Sequence, residues 1–249
     1  MRPLIAKIKP ASGFSKVVYT VFNIVLPLVV FAFVRMDFVP LALAIILLSK
    51  WRMFAVRPRF WPAHIRANAV DIIVSVSLLV FMIQSDSQLI QGVWTAAYMA
   101  WLVILKPATS SMLISLQALV GMFCGLMAVF IGWDNAPLFG LVLLTGLVCY
   151  LSARHFFDNF DEPYAKLLSY MWGYFGASMV WVLGHWLLYY GVVAQPVLLL
   201  LALGYGLATL YYLDHHDRLS GGVRKQSIFI MIAVVLIVLI FSDWGDKIV

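Results

Sequence analysis

SSMLISLQALVGMFCGLMAVFIG, Ser110–Gly132, continues for 23 residues without a charge. At about 1.5 Å per residue, a helix of this length covers the roughly 30 Å hydrocarbon core of a bilayer. The run is too long for a strand and too apolar for the surface helix of a soluble domain. Lipid offers no hydrogen bonds to a backbone, so the segment satisfies its own as a helix.

Further apolar runs lie on both sides of it: Val17–Val34, Phe38–Ala55, Ala67–Ile83, Gln88–Leu105, Ala136–Phe156, Leu167–Tyr190, Pro196–Leu213 and Ser227–Phe241. Short polar segments separate most of them: Arg35–Asp37, Gln84–Ser87, Trp133–Asn135, Asp158–Lys166 and Asp214–Arg224. The expected fold is therefore all-α, a polytopic integral membrane helix bundle of about nine transmembrane helices. It forms a single transmembrane domain over residues 1–249. Composition agrees. The chain is 64% hydrophobic and 11% charged, against roughly 45–50% and 25% in soluble domains. The first run is longer than a signal-peptide core and no small-residue cleavage site follows it, so it reads as an uncleaved helix.

The second run is short. Only Phe38–Ser49 is free of charge, which as helix rises roughly 18 Å. It can cross if Lys50 and Arg52 snorkel to the inner surface while Trp51 and Phe54 sit at the interface. Otherwise the first two runs form a hairpin or re-entrant pair.

Orientation follows from charge. With the N-terminus inside and the runs alternating, only Arg35 and Lys247 of the 17 basic residues fall outside. Such asymmetry places basic loops in the cytoplasm, the C-terminus outside, and the protein in the inner membrane if bacterial. Residues 1–16, with Arg2, Lys7, Lys9 and Lys16, form a basic cytoplasmic segment, and residues 50–66 a basic cytoplasmic loop. Asp37, Asp86, Asp134, Asp243 and Asp246 fall outside. Trp133, Trp186, Tyr189, Tyr190 and Trp244 mark the outer interface, and Trp51, Trp61, Tyr211 and Tyr212 the inner. The net charge of +6 is thus a membrane signal. The expected partner is the anionic inner leaflet rather than nucleic acid. Within KWRMFAVRPRFWPAHIR, Lys50–Arg66, the headgroup-binding candidates are Arg52, Arg57 and Arg59.

Polar chemistry concentrates at the inner side. His155, Asp158, Asp161 and Glu162, with Arg154, share one face if the sixth helix continues to Glu162. Asp214-His215-His216-Asp217 follows the eighth run, with Ser220-Gly221-Gly222 as the turn after it. Carboxylates and imidazoles together could hold a divalent metal or a phosphate–metal pair. The preferred reading is plainer for both: a solvated helix end with an Arg154–Asp158 pair for the first group and a loop entrance for the second. Adjacent histidines on a helix point about 100° apart, against a shared ion. No C-x-x-C or H-E-x-x-H motif is present, so no cofactor is predicted.

Two polar residues are expected inside the membrane. Asp71 lies about one turn inside the third helix, in reach of Arg66, Lys106 or Arg154. His185 is expected in the outer third of the seventh helix as a hydrogen-bonded core residue. Gly121-x3-Gly125, Ala202-x3-Gly206, Gly173 and Gly176 predict close helix contacts, within the bundle or with another subunit or copy. Cys124 and Cys149 lie at different depths and read as unbridged thiols.

These features describe a non-catalytic multi-pass membrane protein, a subunit, scaffold or lipid-interacting component. A small permease is one alternative. A membrane enzyme acting on a lipid-linked phosphate at the cytoplasmic surface is the other, and it rests on the two acid–histidine clusters and the basic loop.

Overall fold

The computed structural model describes residues 13–133, 137–186, 189–190 and 193–243. Arg2, Lys7, Lys9, Asp134, Trp244, Asp246 and Lys247 lie outside the described residues, as do the side chains of Lys16, Arg52, Tyr189 and Tyr190.

The apolar runs form helices. They are α1 (Gly13–Arg35), α2 (Val39–Ser49), α3 (Trp61–Ala67), α4 (Ala69–Ile83), α5 (Gln88–Ala100), α6 (Ser111–Gly132), α7 (Leu138–Asp158), α8 (Ala165–Leu183), α9 (Gln195–His215) and α10 (Gly221–Phe241). Two single-turn 3-10 segments, Trp51–Met53 and Pro58–Phe60, lead into α3. A π-helical turn, Trp101–Leu105, extends α5. Tyr189–Tyr190 (β1) pairs antiparallel with Val193–Ala194 (β2) as a small hairpin between α8 and α9.

Among the described residues, six helices are long and apolar enough to cross a membrane: α1, α5 with its π turn, α6, α7, α9 and α10. The pair α3–α4 qualifies together but bends by 64° at Asn68. Asn68 closes α3 by donating to the His64 carbonyl, and its own carbonyl accepts from Ile72 to begin α4. α3 is exposed throughout. The bend turns α4 into the bundle, where most of its residues are buried.

Several boundaries differ from expectation, each for a local reason. The seventh run does not reach Tyr190. α8 stops at Leu183, and His185 lies exposed in the turn beyond it, donating Nδ1–H to the Trp181 carbonyl at 2.7 Å. Ser220-Gly221-Gly222 is not a free turn. The Ser220 hydroxyl accepts from Val223 N–H and caps α10, so that helix starts with Gly221.

α7 ends at Asp158, and residues 154 to 162 do not share one helix face. The stop is Asp161, at φ 51°. Asp37 at φ 58° and Asp217 at φ 53° end α1 and α9 in the same way. In each case the next N–H returns five residues: Phe38 to Phe33 O, Glu162 to Phe157 O, Arg218 to Leu213 O. This closure needs a left-handed residue, usually glycine, and aspartate is among the few others that tolerate it.

Small residues set the helix spacing inside the bundle. A β-carbon on Gly121 would stand 2.7 Å from Val70 Cγ1 of α4. One on Gly125 would stand 2.7 Å from Ile73 and 2.8 Å from Val148 of α7. Gly173 and Gly176 admit Tyr150 and Cys149 of α7 as closely, and Gly206 admits Met231 of α10. One core gathers α1, α2, α4, α5 and the π turn with Cys124 of α6, and a second gathers α6, α7 and α9 with Val180 of α8 and Ala194 of β2. Cys124 and Cys149 are buried free thiols.

Candidate functional site

Lys50 was expected to snorkel outward, and it does not. Lys50 caps the C-terminus of α2, turns inward and is 6% exposed. Its ammonium meets Asp71 Oδ2 and donates to Ser75 Oγ at 3.3 Å. Lys106 reaches the same Oδ2 at 2.8 Å, and the Trp101 indole N–H donates to Oδ1 at 3.0 Å. Asp71 therefore holds two lysines and an indole while 7% exposed. Of its expected partners Lys106 is observed, and Lys50 takes the place offered to Arg66 or Arg154.

The π turn makes this possible. On an α-helix, residues five apart point about 140° apart. The wider turn, closed by Lys106 N–H to Trp101 O at 2.8 Å, brings Trp101 and Lys106 to the same carboxylate. It also leaves carbonyls to satisfy. Gln117 of α6 donates its amide to Leu105 O and to Ala108 O. With the amide so oriented, Gln117 Oε1 accepts from His155 Nε2 at 3.0 Å, which assigns the imidazole proton to Nε2. Tyr98, fully buried, places its hydroxyl near Ser75 and Asp71.

The acid–histidine clusters lie together at the same end of the bundle, yet their side chains are separately engaged. Asp158 pairs with Arg154 at 2.8 Å. Glu162 accepts from Tyr211 OH and from Tyr164 N–H. Asp161 and Asp217 close helices. The Phe160 ring stands between the clusters, 4.9 Å from the His215 ring and 5.3 Å from that of Tyr211. Asp214 and His215 are exposed, while His216 stacks on Tyr212 at 4.3 Å. Among the described residues, no three His, Cys, Asp or Glu side chains are grouped to hold a metal ion. Arg57 and Arg59 are exposed, with the Arg59 guanidinium 4.5 Å from the Phe60 ring centre.

A pocket of about 520 Å³ opens between α6, α7, α8 and α9, close to that end. Met122, Phe156, Trp172, Leu203 and Tyr211 line it. Its wall is almost wholly apolar. Ser152, 2% exposed, contributes a hydroxyl without a partner. At its flank Met171, Phe175 and Leu207 face outward from the bundle.

Lys50, Trp101, Gln117 and the pocket escaped the sequence reading. Gln117 carried a signal, as a polar amide amid an apolar run. Lys50 looked like an ordinary loop cation, and the π turn has no sequence mark. No protein-family model, curated protein or solved structure matches this chain.

Proposed function

We propose that this chain is a non-catalytic, lipid-binding membrane protein whose pocket between α6 and α9 takes the tail of a membrane lipid. The pocket carries the reading. Its volume falls within the roughly 300–1,000 Å³ of ligand sites, and like them it pairs an apolar wall with few polar groups. The exposed flank of Met171, Phe175 and Leu207 gives an acyl chain entry from the bilayer. The Ser152 and Tyr211 hydroxyls lie where a carbonyl or hydroxyl near the head of that chain would rest.

Lipid retention tests it. Native mass spectrometry of the purified protein should show a tightly held lipid. Ala208→Trp, which fills the pocket from α9, should abolish it without unfolding the bundle. Equal retention by that variant would defeat the reading.

The proposal includes about nine crossings, an inner N-terminus and an outer C-terminus. It is supported by Lys50, Asp71 and Lys106 meeting at one end, as alternating helices require. Reporter fusions after Arg66, Lys106, Lys166 and Arg224 should read cytoplasmic, and fusions after Asp37 and Asp86 external. Readings of Lys16 inside and Arg66 outside would remove α2 from the set of crossings.

A further inference from the structure

We propose that Lys50, Asp71 and Lys106 form a binding site for a phosphate-type oxyanion at the basic end of the bundle. Two ammonium groups share one carboxylate, so the triad carries a formal charge of +1. A buried excess charge is costly unless a partner meets it. Other carboxylates at this end have work elsewhere: Asp158 on Arg154, Glu162 on Tyr211. Lys106, with its side chain 27% exposed, carries the excess charge to the surface of the bundle, where an anion from outside the chain can meet it.

Donor geometry says where. An ammonium has three donors. Lys50 directs two of them to Asp71 and Ser75. Lys106 directs one to Asp71, and its side chain is 27% exposed, which leaves donors for a partner at the surface. The π turn fixes Lys106 by its backbone, and Gln117 locks that turn from α6. The site is thus preorganised, unlike Arg57 and Arg59 on the exposed loop. A single negative charge balances the triad. A phosphodiester headgroup and inorganic phosphate both supply the oxyanion. This inference stands independently of the lipid-tail pocket.

The test uses the full-length protein in lipid-free maltoside detergent, with unfolding temperature as readout. The probes are inorganic phosphate, short-chain phosphatidylglycerol and short-chain diacylglycerol. Phosphate and phosphatidylglycerol should each raise the unfolding temperature. Diacylglycerol reports the tail pocket alone, so failure of one proposal is distinguishable from failure of the other. Lys106→Met leaves Lys50 paired with Asp71 and should weaken anion binding about tenfold or more, the loss of a charge-assisted hydrogen bond. Lys106→Gln serves the same comparison if the Met variant does not fold. Arg35→Gln, at the end of α1 away from the triad, should bind as the parent does. A response to phosphatidylglycerol alone assigns the headgroup, and a response to phosphate alone assigns the free anion. No response beyond that to diacylglycerol, or an anion response that survives Lys106→Met and Lys106→Gln, overturns the site.

Discussion

Two regions at the same end of the bundle make opposite use of their acids. The segments around α7 and α9 carry Asp158, Asp161, Glu162, Asp214 and Asp217, a dense group in a chain with 11 acidic residues. The acids there act singly: Asp158 in an ion pair one turn apart, Glu162 with one tyrosine hydroxyl of α9, and Asp161 and Asp217 as helix stops. Around α4 a single acid, Asp71, joins side chains from α2, α4 and the π turn. Acid density along a sequence marks where water is near. One acid in an apolar run has no water, and it must collect partners from other helices.

Removing Asp71 tests this most severely. Asp71→Ala leaves Lys50 and Lys106 without their carboxylate and should cost about 3–5 kcal/mol in unfolding experiments in detergent. A loss no larger than that of Asp158→Ala would erase the contrast between the regions. Gln117→Leu comes next, because it strips the Leu105 carbonyl and the His155 imidazole of their partner. We expect a loss of about 1–3 kcal/mol by the same measurement. Wild-type stability would show that the π turn needs no support from α6.

Asp217 separates a backbone role from a side-chain role. Asp217→Val should destabilise by about 1–2 kcal/mol, since a β-branched residue resists the left-handed conformation. Asp217→Gly should match or slightly exceed the parent. If Asp217→Gly instead fails where Asp217→Asn succeeds, the side chain matters and the helix-stop account is incomplete. The smallest effect belongs to Arg154 and Asp158. Asp158 is 47% exposed, so Asp158→Asn should cost below about 1 kcal/mol, less still in high salt. A salt-insensitive loss would show that the pair is better shielded than its exposure indicates.

Much of the fold was legible because lipid is an undemanding reader. Uninterrupted apolar length compels a helix whatever its neighbours, so most runs were located to within a few residues. The errors fell where a side chain chose between solvent and another helix. Lys50 counted as a loop cation because nothing local to it reveals Asp71, 21 residues onward. The helix ends at Asp161 and Asp217 were missed because aspartate suggests a ligand or a salt bridge before it suggests a left-handed φ. Gly121 and Gly125 were read as contact points, while their partners, Val70, Ile73 and Val148, came only from packing.

The sequence by itself determined the membrane character, the helical secondary structure and the concentration of basic residues along particular loops. These depend on hydrophobic length and local charge, which are properties of contiguous residues. Only the tertiary structure decided that Lys50 and Lys106 share Asp71, that the π turn aims two of the partners, and that α6 to α9 enclose a pocket. Those features depend on which helix faces meet. A helix shows the same apolar stripe to a lipid tail and to a neighbouring helix, so one dimension cannot distinguish them.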